Sequence, residues 1–216
     1  MKDSLMTASP QNASETLTAG VHLSSEEQPK TDGGEHASKW AVLSIVAVGV
    51  LVAILDSSIV NISLPAIARA FGVPLSGAVE WVIIAYLVVV AGALLTTGRL
   101  ADMIGRKPLW AAGLALFTVG SAFCGGAPSL GLLIAARSLQ GFGGAFILAI
   151  NPAMLTSVFA PHERGRALGL NAVVVALGVS AGPTLGSILT TSLSWRWIFF
   201  VNVHATAFCA SKRTVQ

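Results

Sequence analysis

The chain has 216 residues, 54% of them apolar and only 11% charged, with a net charge of +3. A water-facing globular surface uses roughly 25% charged residues, so this composition excludes an ordinary soluble body. The positive charge is also too small and too scattered for nucleic acid, and Cys124 and Cys209 lie in apolar runs without metal-ligand spacing, which predicts packing roles.

Residues 1–38 are rich in Ser, Thr, Glu, Gly and Ala and carry no helical apolar stripe. They hold too little apolar surface to offset the entropy of ordering, which predicts a disordered cytoplasmic tail. The tail lacks the apolar core of a secretory signal. Asn12-Ala13-Ser14 matches a glycosylation sequon, and a cytoplasmic tail makes that match a chance one.

Five apolar segments follow: about Trp40 to Leu64, Val82 to Thr97, Leu109 to Cys124, Leu130 to Val158 and Ala167 to Thr190. A hydrocarbon core of roughly 30 Å takes about 20 helical residues at about 1.5 Å each. The expected fold is therefore all-α, a polytopic membrane helix bundle over residues 39–203. A sixth segment begins near Trp197, with about 14 residues before Ser211-Lys212-Arg213, or roughly 21 Å of helix. That is short of a crossing, so 204–216 reads as an aberrant or truncated C-terminal end.

Loop charges set an orientation. Lys39, Arg99, Arg106, Lys107, Arg164 and Arg166 fall on one side, against Arg69 and Arg196 on the other. The positive-inside bias predicts a cytoplasmic N-terminus in the cell membrane.

Ionisable groups within spans are the first candidates for function, because lipid makes them costly. Asp56 in the first span can load a proton on one side of the membrane and release it on the other, or attract a cationic substrate; a structural pairing with a neighbouring helix is the alternative. Arg137 lies in the fourth span, with Gly141 and Gly144 four and seven residues on, sharing its face. Such a face lets a neighbouring helix approach while the guanidinium stays inside protein. Glu80 reads as an interfacial charge at the mouth of the second span. Gly178, Gly182 and Gly186 recur every four residues, the small-residue spacing of tight transmembrane packing, and Pro183 encourages a kink. Trp81, Tyr86 and Phe146 are aromatics that could line an apolar cavity.

The loop Gly98-Arg99-Leu100-Ala101-Asp102-Met103-Ile104-Gly105-Arg106-Lys107 resembles the signature loop of the major facilitator superfamily. In it, Gly98 is expected to let the second span approach a neighbour, and Asp102 to sit by a helix N-terminus and pair with Arg106 and Lys107. Leu55 to Pro65, which includes Asp56 and Asn61, resembles the first-helix motif of the fourteen-helix drug:proton antiporter branch. Arg137 to Gly144, Gly178 to Gly186 and Trp195 to Asn202 resemble its fourth-, fifth- and sixth-helix motifs.

The resemblance implies the N-terminal half of such a transporter, with Asp56, Arg137, Asn61 and Tyr86 as candidates for proton coupling or substrate contact. It implies that Arg137 assists proton transfer or tunes a nearby acid, and that the fifth helix packs against the other half and seals the route. The expected partners are the bilayer, protons, a small hydrophobic or cationic substrate and a C-terminal half absent from this chain. Without that half, Asp56 and Arg137 are expected to face lipid or unintended neighbours. No cofactor or metal is expected, and no nucleophile–base pair or phosphate loop suggests an enzyme. The alternatives are a non-transporting protein that modulates a partner carrier, a self-assembling half-transporter, or a carrier of another small solute.

Overall fold

The computed structural model describes residues 32–75 and 77–213, with side chains over 39–75 and 77–206. The described residues form six helices: α1 (Asp32–Phe71), α2 (Trp81–Ile104), α3 (Arg106–Gly126), α4 (Leu130–Val158), α5 (Arg164–Ser192) and α6 (Arg196–Arg213). Among the described residues, five stretches are long and apolar enough to cross a membrane: Lys39–Phe71 and the whole of α2, α3, α4 and α5. The fold is the expected all-α membrane bundle. The disordered tail expected at 1–38 falls outside the described residues as far as 31, and α1 starts at Asp32. Residues 214–216 also lie outside them. The 18 residues of α6 give about 27 Å of helix, longer than the roughly 21 Å expected.

The helices outrun the apolar segments for local reasons. α1 continues through Pro65 to Phe71, because a proline removes one backbone bond without ending a helix held by its neighbours. α2 continues to Ile104 and stops where Gly105 turns the chain at φ +98°, a left-handed conformation that only glycine adopts without strain. α4 starts where expected, with Ser129 capping it: the hydroxyl accepts from the Leu132 amide at 3.3 Å.

α4 packs closely on two neighbours through glycine. A Cβ added at Gly120 of α3 would lie 2.7 Å from the Gln140 Cα, and one at Gly113 would lie 2.8 Å from the Phe146 Cβ. Gly141 and Gly144 of α4 meet α2 at Val89 and Tyr86. Where lipid is as apolar as leucine, such close backbone approach supplies the attraction between helices.

α5 departs from the expectation that its glycine face meets another half of the fold. Gly178 lies on Leu51 and Ile54, Gly182 on Ser58, and Gly186 on Ile59 and Ile62, all of α1. The Ser58 hydroxyl also donates to the Val179 carbonyl at 3.3 Å. Small residues at a four-residue spacing announce a close contact without saying with which helix.

Two apolar clusters fill the bundle. One gathers around Trp110, Phe117, Ile147 and Ile150 and takes α1 between Leu43 and Ala53. The other gathers around Val60, Ile67, Leu133 and Phe199 and takes α1 from Ile59 onward. Asp56 falls at the boundary between them.

Candidate functional site

Asp56 is fully buried, at 0% exposure, and three side chains from two other helices donate to its carboxylate. Arg137 Nη1 lies 2.5 Å from Oδ2. Gln140 Nε2 lies 3.1 Å and Asn202 Nδ2 2.7 Å from Oδ1. Arg137 and Gln140 are three residues apart on α4, so one turn of that helix presents both. Asn202 comes from α6.

The surroundings satisfy the donors in turn. Arg137 Nη1 also donates to Gln140 Oε1 at 2.7 Å, and its Nε to the Val82 carbonyl at 3.3 Å. Gln140 Nε2 donates to the Ser121 hydroxyl at 2.7 Å, and the Cys124 thiol lies 3.6 Å from Gln140 Oε1. The guanidinium stacks 4.3 Å from the centroid of the Tyr86 ring, an attraction strengthened by the dry surroundings. Five helices thus meet at one carboxylate.

This overturns the expectation that Asp56 and Arg137 face lipid or unintended neighbours. Both are buried inside the bundle and paired with each other, with neutral donors on Asp56 and neutral acceptors on Arg137. A buried ion pair holds only with further hydrogen bonds around it, and here Val82, Gln140 and Asn202 supply them from within the chain. Chemically, the junction is a charge-balanced couple in which each side chain is the other's counter-ion.

Of the other expected site residues, Tyr86 joins the junction and the rest lie elsewhere. Tyr86 is buried, with its ring on Arg137 and its hydroxyl against Gly144, so it lines no open cavity with the exposed Trp81. Asn61 is exposed and, with Leu64, Pro65, Leu75, Val79 and Glu80, lines a groove of about 260 Å³ away from the carboxylate.

In the loop, Arg106 donates to the Ala153 carbonyl of α4 at 3.1 Å rather than pairing with Asp102. Asp102 lies exposed in the last turn of α2, not at a helix N-terminus, and Arg99 and Lys107 are exposed as well. Gly98 faces open space: among the described residues nothing lies within 4 Å of a Cβ placed there. Pro183 is exposed on α5. No group of three or more His, Cys, Asp or Glu that could hold a metal occurs among the described residues.

Gln140, Ser121 and Asn202 belong to the junction but are not among the site residues expected from the sequence, although Gln140 and Asn202 fall within the fourth- and sixth-helix motifs. The available signal was polar side chains inside spans, with Gln140 one turn from Arg137.

Five helices of spanning length and apolarity make the chain a multi-pass membrane protein. Residues 46–211 match the Major Facilitator Superfamily, and the chain belongs to that family of transporters. It is 36% identical to the riboflavin transporter RibZ of Clostridioides difficile over 165 residues, which cover 76% of this chain and 36% of RibZ. It is 37% identical to the multidrug resistance protein Stp of Mycobacterium tuberculosis (strain CDC 1551 / Oshkosh), covering 77% of this chain and 31% of Stp. To multidrug resistance protein 3 of Bacillus subtilis it is 35% identical, covering 80% and 33% of the two chains. The chain thus spans about a third of the length of these relatives. Its fold is similar to that of the proton:xylose symporter XylE, with a TM-score of 0.75 at 12% identity over 84% of this chain and 45% of XylE. The match is one of fold, the N-terminal half of a major-facilitator-type transporter.

Proposed function

We propose that this chain supplies the proton-coupling half of an exporter for small hydrophobic or cationic compounds, working with a second helical half around a shared central site. The observation that carries the reading is the sealed Asp56–Arg137 pair, an ionisable couple at the meeting point of five helices. A group of that kind inside a membrane is expensive, and exchanging a proton is a use that accounts for keeping it. In this reading Asp56 takes up and releases the proton, and Arg137 holds the carboxylate charged until it does. The N-terminus lies in the cytoplasm and the membrane is the cell membrane, on the bias of Lys39, Arg99, Arg106, Lys107, Arg164 and Arg166 to one side. Two relatives with multidrug resistance in their names support the substrate class.

A chimaera tests this. The matching segment of the Bacillus subtilis protein is replaced by residues 40–203 of this chain, and dye efflux is followed in everted vesicles under an imposed proton gradient. Gradient-driven efflux that Asp56→Asn abolishes is expected. Efflux that persists in Asp56→Asn at the parent rate refutes the assignment. The similarity to RibZ favours a second reading, a flat neutral solute as cargo; inhibition of dye efflux by riboflavin in the same vesicles would select it.

A further inference from the structure

Among the donors to Asp56, Arg137 and Gln140 share α4 and move together. Asn202 arrives independently, on α6. Its amide is buried and lies closer to Oδ1 than that of Gln140, at 2.7 Å against 3.1 Å. The two amides occupy Oδ1, while Arg137 occupies Oδ2. Donors on both oxygens fix the plane of the carboxylate as well as its position.

Among the described residues, two further hydrogen bonds that do not touch Asp56 hold α6 to α3. Arg196 Nη1 donates to the Gly125 carbonyl at 2.9 Å. Thr118 Oγ1 donates to Thr206 Oγ1 at 2.7 Å. Asn202 is therefore the contact through which α6 bears on the acid, and the others measure how firmly α6 is seated.

We propose that Asn202 is a positioning residue whose amide holds the Asp56 carboxylate with Oδ2 toward Arg137, so that α6 must give up this bond before Oδ1 takes a proton. The proposal rests on the reading of Asp56 as the coupling acid. The step is balanced simply: one proton passes from hydronium to Oδ1 and leaves water, the Asn202 hydrogen bond breaks, and Arg137 loses its counter-ion. The charged or titratable groups facing the carboxylate are Arg137 of α4, the Tyr86 phenol of α2 and the Cys124 thiol of α3. Among the described residues α5 and α6 bring none to it: α5 meets α1 through glycines, and His204 of α6 is exposed.

The test uses the whole chain in lipid nanodiscs and infrared spectroscopy, with the Asp56 carboxylate bands assigned by their loss in Asp56→Asn. Asn202→Leu is expected to shift those bands, Asn202→Gln to return them at least halfway, and Thr206→Val to leave them in place. After an acid jump, proton uptake by Asp56 is expected at least about tenfold faster in Asn202→Leu, the value of one hydrogen bond to a charged group. If Asn202→Leu does not insert, Asn202→Ala carries the same expectation without added bulk. Bands unmoved in the Asn202 variants, or moved equally by Thr206→Val, overturn the proposal, since α6 would then act only by packing; an unchanged uptake rate overturns its second half. Failure of the coupling reading looks different: Asp56 would take up no proton in wild type or variant at any pH that keeps the chain folded, while the band positions would still decide the role of Asn202.

Discussion

Removing the guanidinium from the central junction should cost the bundle more than any exposed ion pair could. In Arg137→Met the side chain keeps much of its volume, but Asp56 loses its counter-charge at Oδ2 and keeps only the amides of Gln140 and Asn202. Breaking a buried pair by removing one partner costs about 3–5 kcal/mol, because the remaining charge stays in a dry site. That is about two to nearly four decades in the folding equilibrium. Exposed pairs contribute about 0–1 kcal/mol, so the two regimes separate cleanly. The assay is reversible unfolding of the whole chain in bicelles, followed by steric trapping. The variants are Asp56→Asn, Arg137→Met and the double substitution. The double variant should be more stable than the sum of the single losses predicts, by at least about 2 kcal/mol, because it leaves no orphan charge. Losses that add to within about 0.5 kcal/mol, or a single loss below about 1 kcal/mol, would show that the two side chains are not a dry, coupled pair.

Three other outcomes follow from the packing. Gly182→Val should prise α5 from α1, since even a Cβ there overlaps the Ser58 side chain; a destabilisation of about 1–3 kcal/mol and loss of disulfide cross-linking between cysteines placed on the two helices would show it. Gly105→Ala should cost about 1–2 kcal/mol in the same unfolding assay, because it forces a side chain to adopt φ +98°. Arg106→Ala should cost about 1 kcal/mol by removing the bond to the Ala153 carbonyl, and Arg106→Lys, whose shorter reach lacks the planar fork, should recover little of it. Alkaline carbonate should leave the chain in the membrane pellet; release into the supernatant would contradict five spanning helices.

The spans were legible because lipid imposes a length and an apolarity that little else explains. α4 has its expected bounds because its apolar run begins and ends with the helix itself. The end of α2 was not, because Arg99 and Asp102 interrupt the hydropathy without interrupting the helix, which stops only at Gly105. Asp56 and Arg137 stood out as charges, and the structure brings them into contact. Gln140 and Asn202 did not stand out, since an uncharged amide costs little enough in a span to pass as background. The partner of α5 differs from the expected one for another reason: Gly178, Gly182 and Gly186 describe one side of a contact, and the matching row on α1, Ile54, Ser58 and Ile62, shares their four-residue spacing but not, at Ile54 and Ile62, their small size. Likewise, nothing in the loop pattern said that Arg106 would reach a carbonyl of α4 in preference to Asp102.

The central carboxylate also bears on how the chain is made. Asp56 precedes Arg137 by 81 residues and Asn202 by 146. At about 5–20 residues per second, α1 waits about 4–16 s for its arginine and longer for its amide. Throughout that interval an acid lies in a newly inserted helix, at a cost of about 2.5–3.5 kcal/mol if it sits near the middle of the bilayer. α1 meets that cost with its own composition, for its spanning stretch is the most hydropathic of the five. α1 thus carries the group that α6 completes, and the surplus of apolar side chains around it keeps the nascent chain in place until then.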